Sequence, residues 1–167
     1  MMGMRSFQAA RHRDKHGIAL IWVVLWLPVF ILLSGATMDV GVAFADRALL
    51  RAASDLGALA GVQELDLVQL AEGRRYIYPD RAKEHAERIT RLILSANRNW
   101  SDVQVEVWVN NPPPGGGVQH PISGRFLRDP TVTVRSTVER RAVFLARVLP
   151  RYELTAYADA SVLPRRE

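Results

Sequence analysis

The fold is decided by residues 17–38, GIALIWVVLWLPVFILLSGATM, a stretch that contains no charged residue and consists mostly of Ile, Leu, Val, Trp and Phe. A helix rises about 1.5 Å per residue, so this stretch reaches roughly 33 Å, enough to cross a hydrocarbon core of about 30 Å. Pro28 near its middle is compatible with this interpretation, because membrane helices tolerate a proline where neighbouring groups satisfy the freed carbonyl. The stretch is therefore predicted to be a transmembrane helix.

The charges on either side of the stretch predict its direction. Residues 1–16 carry four cations and one anion, whereas the first charged residues after the stretch are Asp39 and Asp46. By the positive-inside rule, the N-terminus is cytoplasmic and the chain from Asp39 onward lies outside. We expect residues 1–16 to be a disordered basic cytoplasmic tail. Because no later segment is apolar for long enough to cross again, the sequence predicts a single-pass anchor with an external domain.

A cleaved signal peptide is the alternative to an anchor. Ala43, Phe44 and Ala45 form a small-x-small sequence after the apolar stretch, as at many cleavage sites. The apolar stretch is longer than the roughly 7–15 residues usual in a signal peptide, and Asp39 separates it from the candidate cleavage site. We therefore favour an uncleaved anchor.

Composition argues against several classes of protein. The chain has a net charge of +5, of which residues 39–167 supply only +2, so the charge gives little support for nucleic-acid binding. The absence of cysteine excludes disulfides, thiolate metal sites and cysteine nucleophiles. The four histidines have no metal-ligand spacing, and no catalytic sequence motif is present. We therefore expect no enzyme activity, no cofactor, no metal and no small-molecule substrate.

Residues 39–72 are predicted to continue the membrane helix outside as an amphipathic stalk. They contain no proline and are rich in Ala and Leu, which are strong helix formers. Val42, Leu49 and Leu56 recur every seven residues, and alanines between them fill the same apolar stripe. The stalk therefore has an apolar side that needs a partner.

A row of small residues gives the stalk a helix-packing or assembly face. Ala53, Gly57 and Gly61 are four residues apart, which places them on one side of a helix where another backbone can approach closely. This face either packs against the chain's own external domain or contacts another helical subunit.

The carboxylates of the stalk are expected to be solvated. Asp39 and Asp46 lie near one side of the helix and Asp55 lies on the opposite side, so the three do not form a catalytic cluster. Asp39 either marks the point where the helix leaves lipid or pairs with a cation on a partner helix.

The order of these features is similar to that of a known domain. Four features follow one another over residues 17–63. They are a glycine, an apolar helix with an internal proline, the Asp-Val-Gly sequence that begins at Asp39 and ends at Gly41, and an Ala-rich helix with Asp55 before Ala-Leu-Ala. This run resembles the N-terminal domain of TadE/TadG-like Flp pilus-assembly proteins. The resemblance implies a pilin-like accessory subunit of the tight-adherence pilus machine, anchored in a bacterial inner membrane with its C-terminal domain periplasmic or extracellular. Its partners would be the lipid bilayer and other pilus-assembly or pilin-like subunits.

Two departures from the family pattern refine this expectation. Prepilin peptidase substrates are cut after a glycine and carry Glu five residues later, whereas the candidate processing position Gly17 is followed at that spacing by Trp22. Because it lacks this glutamate, the chain resembles the TadG-like branch more than the TadE-like branch. The metal-dependent adhesion motif Asp-x-Ser-x-Ser of longer TadG proteins is also missing, so the resemblance implies no metal site.

Residues 73–167 are predicted to form a small α+β domain. A linker ends at Pro79, and an amphipathic helix of about residues 81–98 begins at an N-cap on Asp80. Alternating apolar and polar residues predict strands over residues 103–110, 131–138 and 154–162, and the small residues of the last strand suggest close packing under the stalk. Residues 142–149 are predicted to form two helical turns. The predicted fold is thus a long transmembrane helix that continues outside, followed by a helix-plus-antiparallel-sheet domain.

A membrane-tethered binding module is the alternative function. In that case the external domain recognises a small ligand, a glycan or a surface, and the helix serves only as a tether. The first aromatic candidates for such a site are Tyr76, Tyr78, Trp100 and Trp108.

Overall fold

The computed structural model describes residues 5–97, 100–146 and 150–162, with the side chains of its first helix described from residue 20 onward. The helices are α1 (Arg5–Val62), α2 (Leu67–Ala71) and α3 (Pro79–Ser95), and the strands are β1 (Trp100–Asn110), β2 (Val118–Gln119), β3 (Phe126–Leu127), β4 (Thr131–Arg140) and β5 (Tyr152–Ser161). A long apolar N-terminal helix is thus followed by a small region of helix and antiparallel sheet. The predicted α+β class is confirmed.

Helix α1 is one continuous element of 58 residues with Pro28 inside it. It begins at Arg5, so the prediction of disorder is wrong for residues 5–16, and residues 1–4 lie outside the described part. An established helix extends more easily than a new one starts, which explains this extension.

The predicted stalk ends earlier than expected. Helix α1 stops at Val62 rather than at residue 72, and a separate short helix α2 follows it. The carboxylate of Asp66 caps α2 by accepting hydrogen bonds from the backbone N–H groups of Val68 and Gln69, at 2.9 and 3.2 Å. An aspartate that caps in this way favours the start of a new helix at this position.

Strands β1, β4 and β5 form an antiparallel sheet in the order β1-β4-β5. The three predicted strands are confirmed, and the central strand β4 buries Val132, Val134 and Val138 completely. Helices α1 and α3 cover one side of this sheet, and polar side chains line the other. Strands β2 and β3 pair with each other as a separate small hairpin. Residues 64–162 of this α+β region are called the head below.

The core consists of two clusters, which lie one after the other along α1 with increasing distance from its apolar stretch. The cluster nearer the apolar stretch contains Leu50, Ala53, Leu94, Trp100, Val138 and Ala156. The outer cluster contains Ala58, Ile77, Ala82, Ala86, Val107, Val132 and Val134. Since Ala53 of α1 and Ala156 of β5 belong to one cluster, the predicted packing of the last strand under the stalk is confirmed.

Two local predictions in the head are wrong. Helix α3 begins with Pro79 in its first turn after an N-cap at Tyr78, so Asp80 is not the cap, and the helix ends at Ser95. Residues 142–146 form bends and a turn rather than a helix, while residues 147–149 lie outside the described part. The physical reason for these bends is a contact with Asp39.

Candidate functional site

The exposed apolar stretch of α1 is the first functional feature of the structure. Every residue from 20 to 34 is exposed, including Trp22 and Trp26, and the head does not cover any of them. Within the described chain, the segment Leu20–Val62 is the one helix long and apolar enough to cross a membrane. A helix that exposes this much apolar surface needs an apolar environment.

The head first meets α1 at Gly35 and Asp39. The ring of Phe144 packs over Gly35, where an added Cβ would lie 2.8 Å from the Cβ and Cγ atoms of Phe144. Four residues later, the carboxylate of Asp39 accepts hydrogen bonds from the backbone N–H groups of Val143, Phe144 and Leu145 at 3.0, 2.9 and 2.7 Å. These contacts fix residues 142–146 against the helix and prevent them from forming a helix of their own.

Asp39, the first residue beyond the predicted span, is 8% exposed. Burial raises its pKa, but the three backbone hydrogen bonds and the nearby charge of Arg140 outweigh burial, so the pKa lies below its ordinary value. The carboxylate is therefore ionised at neutral pH.

A buried ion pair fixes the head about two turns further out. Arg140 at the end of β4 pairs with Asp46, and the two side chains are 12% and 8% exposed. Asp39 and Asp46 therefore contradict the expectation that the carboxylates of the stalk are solvated, whereas Asp55 is exposed as expected. Asp39 accepts hydrogen bonds from its own chain, and its pairing with a cation on a partner helix stays a prediction.

The predicted row of small residues lies inside the head. Ala53, Gly57 and Gly61 are buried. A Cβ at Gly57 would overlap Thr90 Oγ1, and a Cβ at Gly61 would lie 3.0 Å from the carbonyl oxygen of Ala82. Of the two contacts predicted for this face, the structure therefore contains the packing against the chain's own external domain.

A second apolar face of α1 has no partner among the described residues. It consists of Ala45, Leu49, Ala52, Leu56 and Leu59, all of which are exposed, and we call it the outer stripe. These residues are alternately four and three positions apart, which is the spacing of the a and d positions of a heptad repeat. Leu56 and Leu59 expose 52% and 50% of their surface.

Of the two remaining predicted positions on α1, Gly41 makes no contact with the head in the described structure. Gly41 is exposed, and an added Cβ there would meet nothing within 4 Å. Gly17 lies within the helix, in the part where side chains are not described. Processing at Gly17 stays a prediction.

A buried cluster of hydrogen-bonded side chains around His120 resembles a catalytic site but has a structural role. The Nδ1 atom of His120 accepts hydrogen bonds from the backbone N–H groups of Ile122 and Ser123 at 3.1 and 2.9 Å. Nε2 therefore carries the proton and donates to Asp159 Oδ1 at 2.8 Å. The hydroxyl of Thr133 donates to the same oxygen at 2.8 Å. Both ring nitrogens are thus occupied, and the buried imidazole cannot serve as a base for Thr133.

No sequence pattern indicated this His120 cluster, because its members are far apart in the chain and lie on different elements. Within the described residues, no group of three or more His, Asp or Glu side chains could hold a metal ion. The hydrogen bonds of this cluster connect the loop after β2 to strands β4 and β5.

The four aromatic candidates for ligand binding have structural contacts. Trp100 is 8% exposed and belongs to the inner core cluster. The guanidinium of Arg135 lies 5.4 Å from the ring centre of Trp108. Tyr76 and Tyr78 pack edge to face with ring centres 6.4 Å apart. These contacts give little support to an aromatic binding site.

Tyr78 also bonds to the carboxylate that caps α2. The hydrogen bond from its hydroxyl to Asp66 raises the pKa of Tyr78. The pKa of Asp66 is lowered, first by the backbone N–H of Gln69 and also by Tyr78. Tyr78 and Asp66 thus interact across the connection between α2 and α3.

The open side of the sheet carries a polar groove of about 420 Å³. Both arginines of the groove are already paired, because Arg135 binds Glu106 and Arg151 lies 3.4 Å from Glu139. A ligand that entered this groove would have to compete with these ion pairs.

The described structure is that of an α+β head attached to one long, partly exposed apolar helix. More specifically, residues 17–64 match the family model described as putative Flp pilus-assembly TadE/G-like. The match covers less than a third of the chain, corresponds almost entirely to α1, and confirms the resemblance predicted for residues 17–63. The matched family is one of pilus assembly rather than catalysis. No curated protein and no solved structure matches the chain significantly.

Proposed function

We propose that the protein is a single-pass, membrane-anchored structural subunit of a Tad (Flp) pilus-assembly machine or a related secretion machine. The observation that carries this proposal is the coincidence of the family match with α1, the element that holds both the exposed apolar stretch and the outer stripe. In this arrangement residues 17–38 span the bacterial inner membrane, the N-terminus is cytoplasmic, and the pilin-like head is periplasmic or extracellular. The protein performs no catalysis.

The outer stripe is the surface that contacts another pilus-assembly subunit. The small-residue face cannot do so while the head is folded, because Gly57 and Gly61 contact α3 and β4 of the same chain. The outer stripe is free, apolar and spaced as a heptad repeat, which is the pattern that a second helix can pack against. From Ala45 to Leu59 it extends for roughly 21 Å along the helix axis. Its partner is an amphipathic helix of another pilin-like subunit.

Site-specific photo-crosslinking in the native envelope tests this function. A photoreactive amino acid replaces Leu56 of the outer stripe, and a matched variant carries it at Leu92, an exposed leucine of α3 that is 67% accessible. We expect the probe at Leu56 to capture a Tad pilus component, identified by mass spectrometry, and the probe at Leu92 to capture none. Equal cross-linking at both positions would contradict the proposal. Capture of a second copy of this chain alone would contradict the proposed partner.

A further inference from the structure

We infer that residues 142–146, Ala-Val-Phe-Leu-Ala, insert into the outer surface of the lipid bilayer beside α1 and give the head a second attachment to the membrane. This inference rests on the membrane anchoring proposed above. We call these residues the membrane loop. Its backbone lies at the level of the lipid headgroups, and its apolar side chains reach the boundary of the acyl chains.

The position of the loop along α1 places it at membrane depth. Phe144 packs over Gly35, which lies four residues before Asp39 and within the apolar stretch of residues 17–38. At about 1.5 Å per residue, the ring reaches roughly 6 Å from Asp39 toward the exposed apolar part of the helix. Where Gly35 enters the membrane, Phe144 must enter with it.

The surface of the loop suits lipid better than water. Val143 and Phe144 are 66% and 56% exposed, and no charged residue occurs between Ala142 and Ala146. Apolar side chains at a membrane surface bury themselves about 5–10 Å deep, at the boundary between headgroups and acyl chains. Arg141 precedes the loop and is exposed, so its cation can meet anionic headgroups.

The hydrogen bonds of Asp39 remove the main obstacle to insertion. Irregular backbone is unfavourable at membrane depth, because its N–H groups lose water without gaining another acceptor. In this loop the N–H groups of Val143, Phe144 and Leu145 all donate to Asp39. The loop therefore presents its side chains to lipid while the helix satisfies three of its five backbone donors.

Depth-dependent fluorescence quenching tests the inference on the full chain. Because the sequence has no cysteine, three single-cysteine variants can each carry one NBD fluorophore: Val143→Cys, Leu27→Cys and Phe126→Cys. Leu27 lies near the middle of the apolar stretch, and Phe126 is a 74% exposed apolar residue of the β2–β3 hairpin. Each variant is reconstituted into phosphatidylcholine and phosphatidylglycerol vesicles that contain lipids with a nitroxide at a shallow or a deep acyl position. Iodide serves as the aqueous quencher.

We expect the label at residue 143 to be quenched by the shallow nitroxide lipid and protected from iodide. The label at residue 27 should respond to the deep nitroxide lipid, and the label at residue 126 to iodide alone. If residue 143 behaves like residue 126 while residue 27 is in lipid, the membrane loop is overturned and the anchoring stands. If residue 27 is itself open to iodide, the proposed anchoring fails, and the membrane loop fails with it.

Discussion

The two apolar faces of α1 differ in residue size and in what covers them. The small-residue face packs into the head, where a Cβ at either Gly57 or Gly61 would lie 3.0 Å from a backbone carbonyl oxygen of α3. The outer stripe carries Leu49, Leu56 and Leu59 and is exposed. Glycine lets another backbone approach closely, whereas leucines hold it away and suit side-chain packing with a second helix. At Gly57 and Gly61, the small residue size therefore permits the close packing of α1 against the head.

The two faces also differ in their polar groups. On the buried side, Asp46 pairs with Arg140, and Ser54 contacts the hydroxyl of Ser136 on β4. On the exposed side, Asp55 is open to solvent. Paired buried groups fix the register of α1 on the sheet, because moving the helix by one residue would leave them without partners. The following substitutions test this contrast, in order of decreasing effect on stability.

Removal of Asp46 should have the largest effect. Asp46→Ala leaves the buried guanidinium of Arg140 without its partner, and we expect a loss of about 3 kcal/mol in the free energy of unfolding of the head. The matched change Asp55→Ala, on the exposed side of the same helix, should alter it by less than about 0.5 kcal/mol. Denaturant unfolding in detergent, followed by tryptophan fluorescence, measures both. Equal losses would show that the ion pair does not hold the head.

A methyl group should have opposite effects at two glycines of α1. Gly57→Ala forces the helix away from Thr90 and Ala86, and we expect it to destabilise the head by about 2 kcal/mol. Gly41→Ala meets nothing within 4 Å and should stabilise the helix by about 0.5–1 kcal/mol. Both values come from the same unfolding experiment. Stabilisation by Gly57→Ala would mean that this face is not tightly packed.

Loss of the Asp39 carboxylate should have a smaller and local effect. Asp39→Ala frees the N–H groups of Val143, Phe144 and Leu145, which we expect to cost about 1 kcal/mol. Amide hydrogen exchange should then become faster at these positions and stay unchanged in β4. Unchanged exchange at residues 143–145 would contradict the role of Asp39.

A substitution on the outer stripe should have the smallest effect on stability. Leu56→Lys places a charge on a surface that is already 52% exposed, so the free energy of unfolding should change by less than about 0.5 kcal/mol. The same variant should no longer co-purify with Tad components from native envelopes, whereas the matched Leu92→Lys should. A large loss of stability in Leu56→Lys would mean that the stripe belongs to the core of the head.

The regular elements of the head could be predicted because their patterns are local. Alternation of valines with polar residues identified β1 and β4, and the alanines of β5 indicated a helix close above it. The apolar length of residues 17–38 identified the helix that could cross a membrane.

Contacts between distant parts of the chain could not be predicted from these patterns. Asp39 and the N–H groups that it binds are more than 100 residues apart, and they decide that residues 142–146 bend instead of forming a helix. The pairing of Asp46 with Arg140 and the burial of His120 also depend on contacts between residues that are distant in the sequence. Periodicity also identified two apolar faces on α1 without indicating which one the head would cover.

Cysteine labelling at two adjacent alanines tests whether another subunit covers the outer stripe. Ala52 is exposed on the outer stripe, and Ala53 is fully buried in the head. In purified, detergent-solubilised protein, we expect Ala52→Cys to react quickly with a soluble maleimide and Ala53→Cys to remain unlabelled. In native envelopes with the pilus machine present, Ala52→Cys should become protected. Rapid labelling of Ala52→Cys in both settings would contradict the claim that another subunit covers the outer stripe.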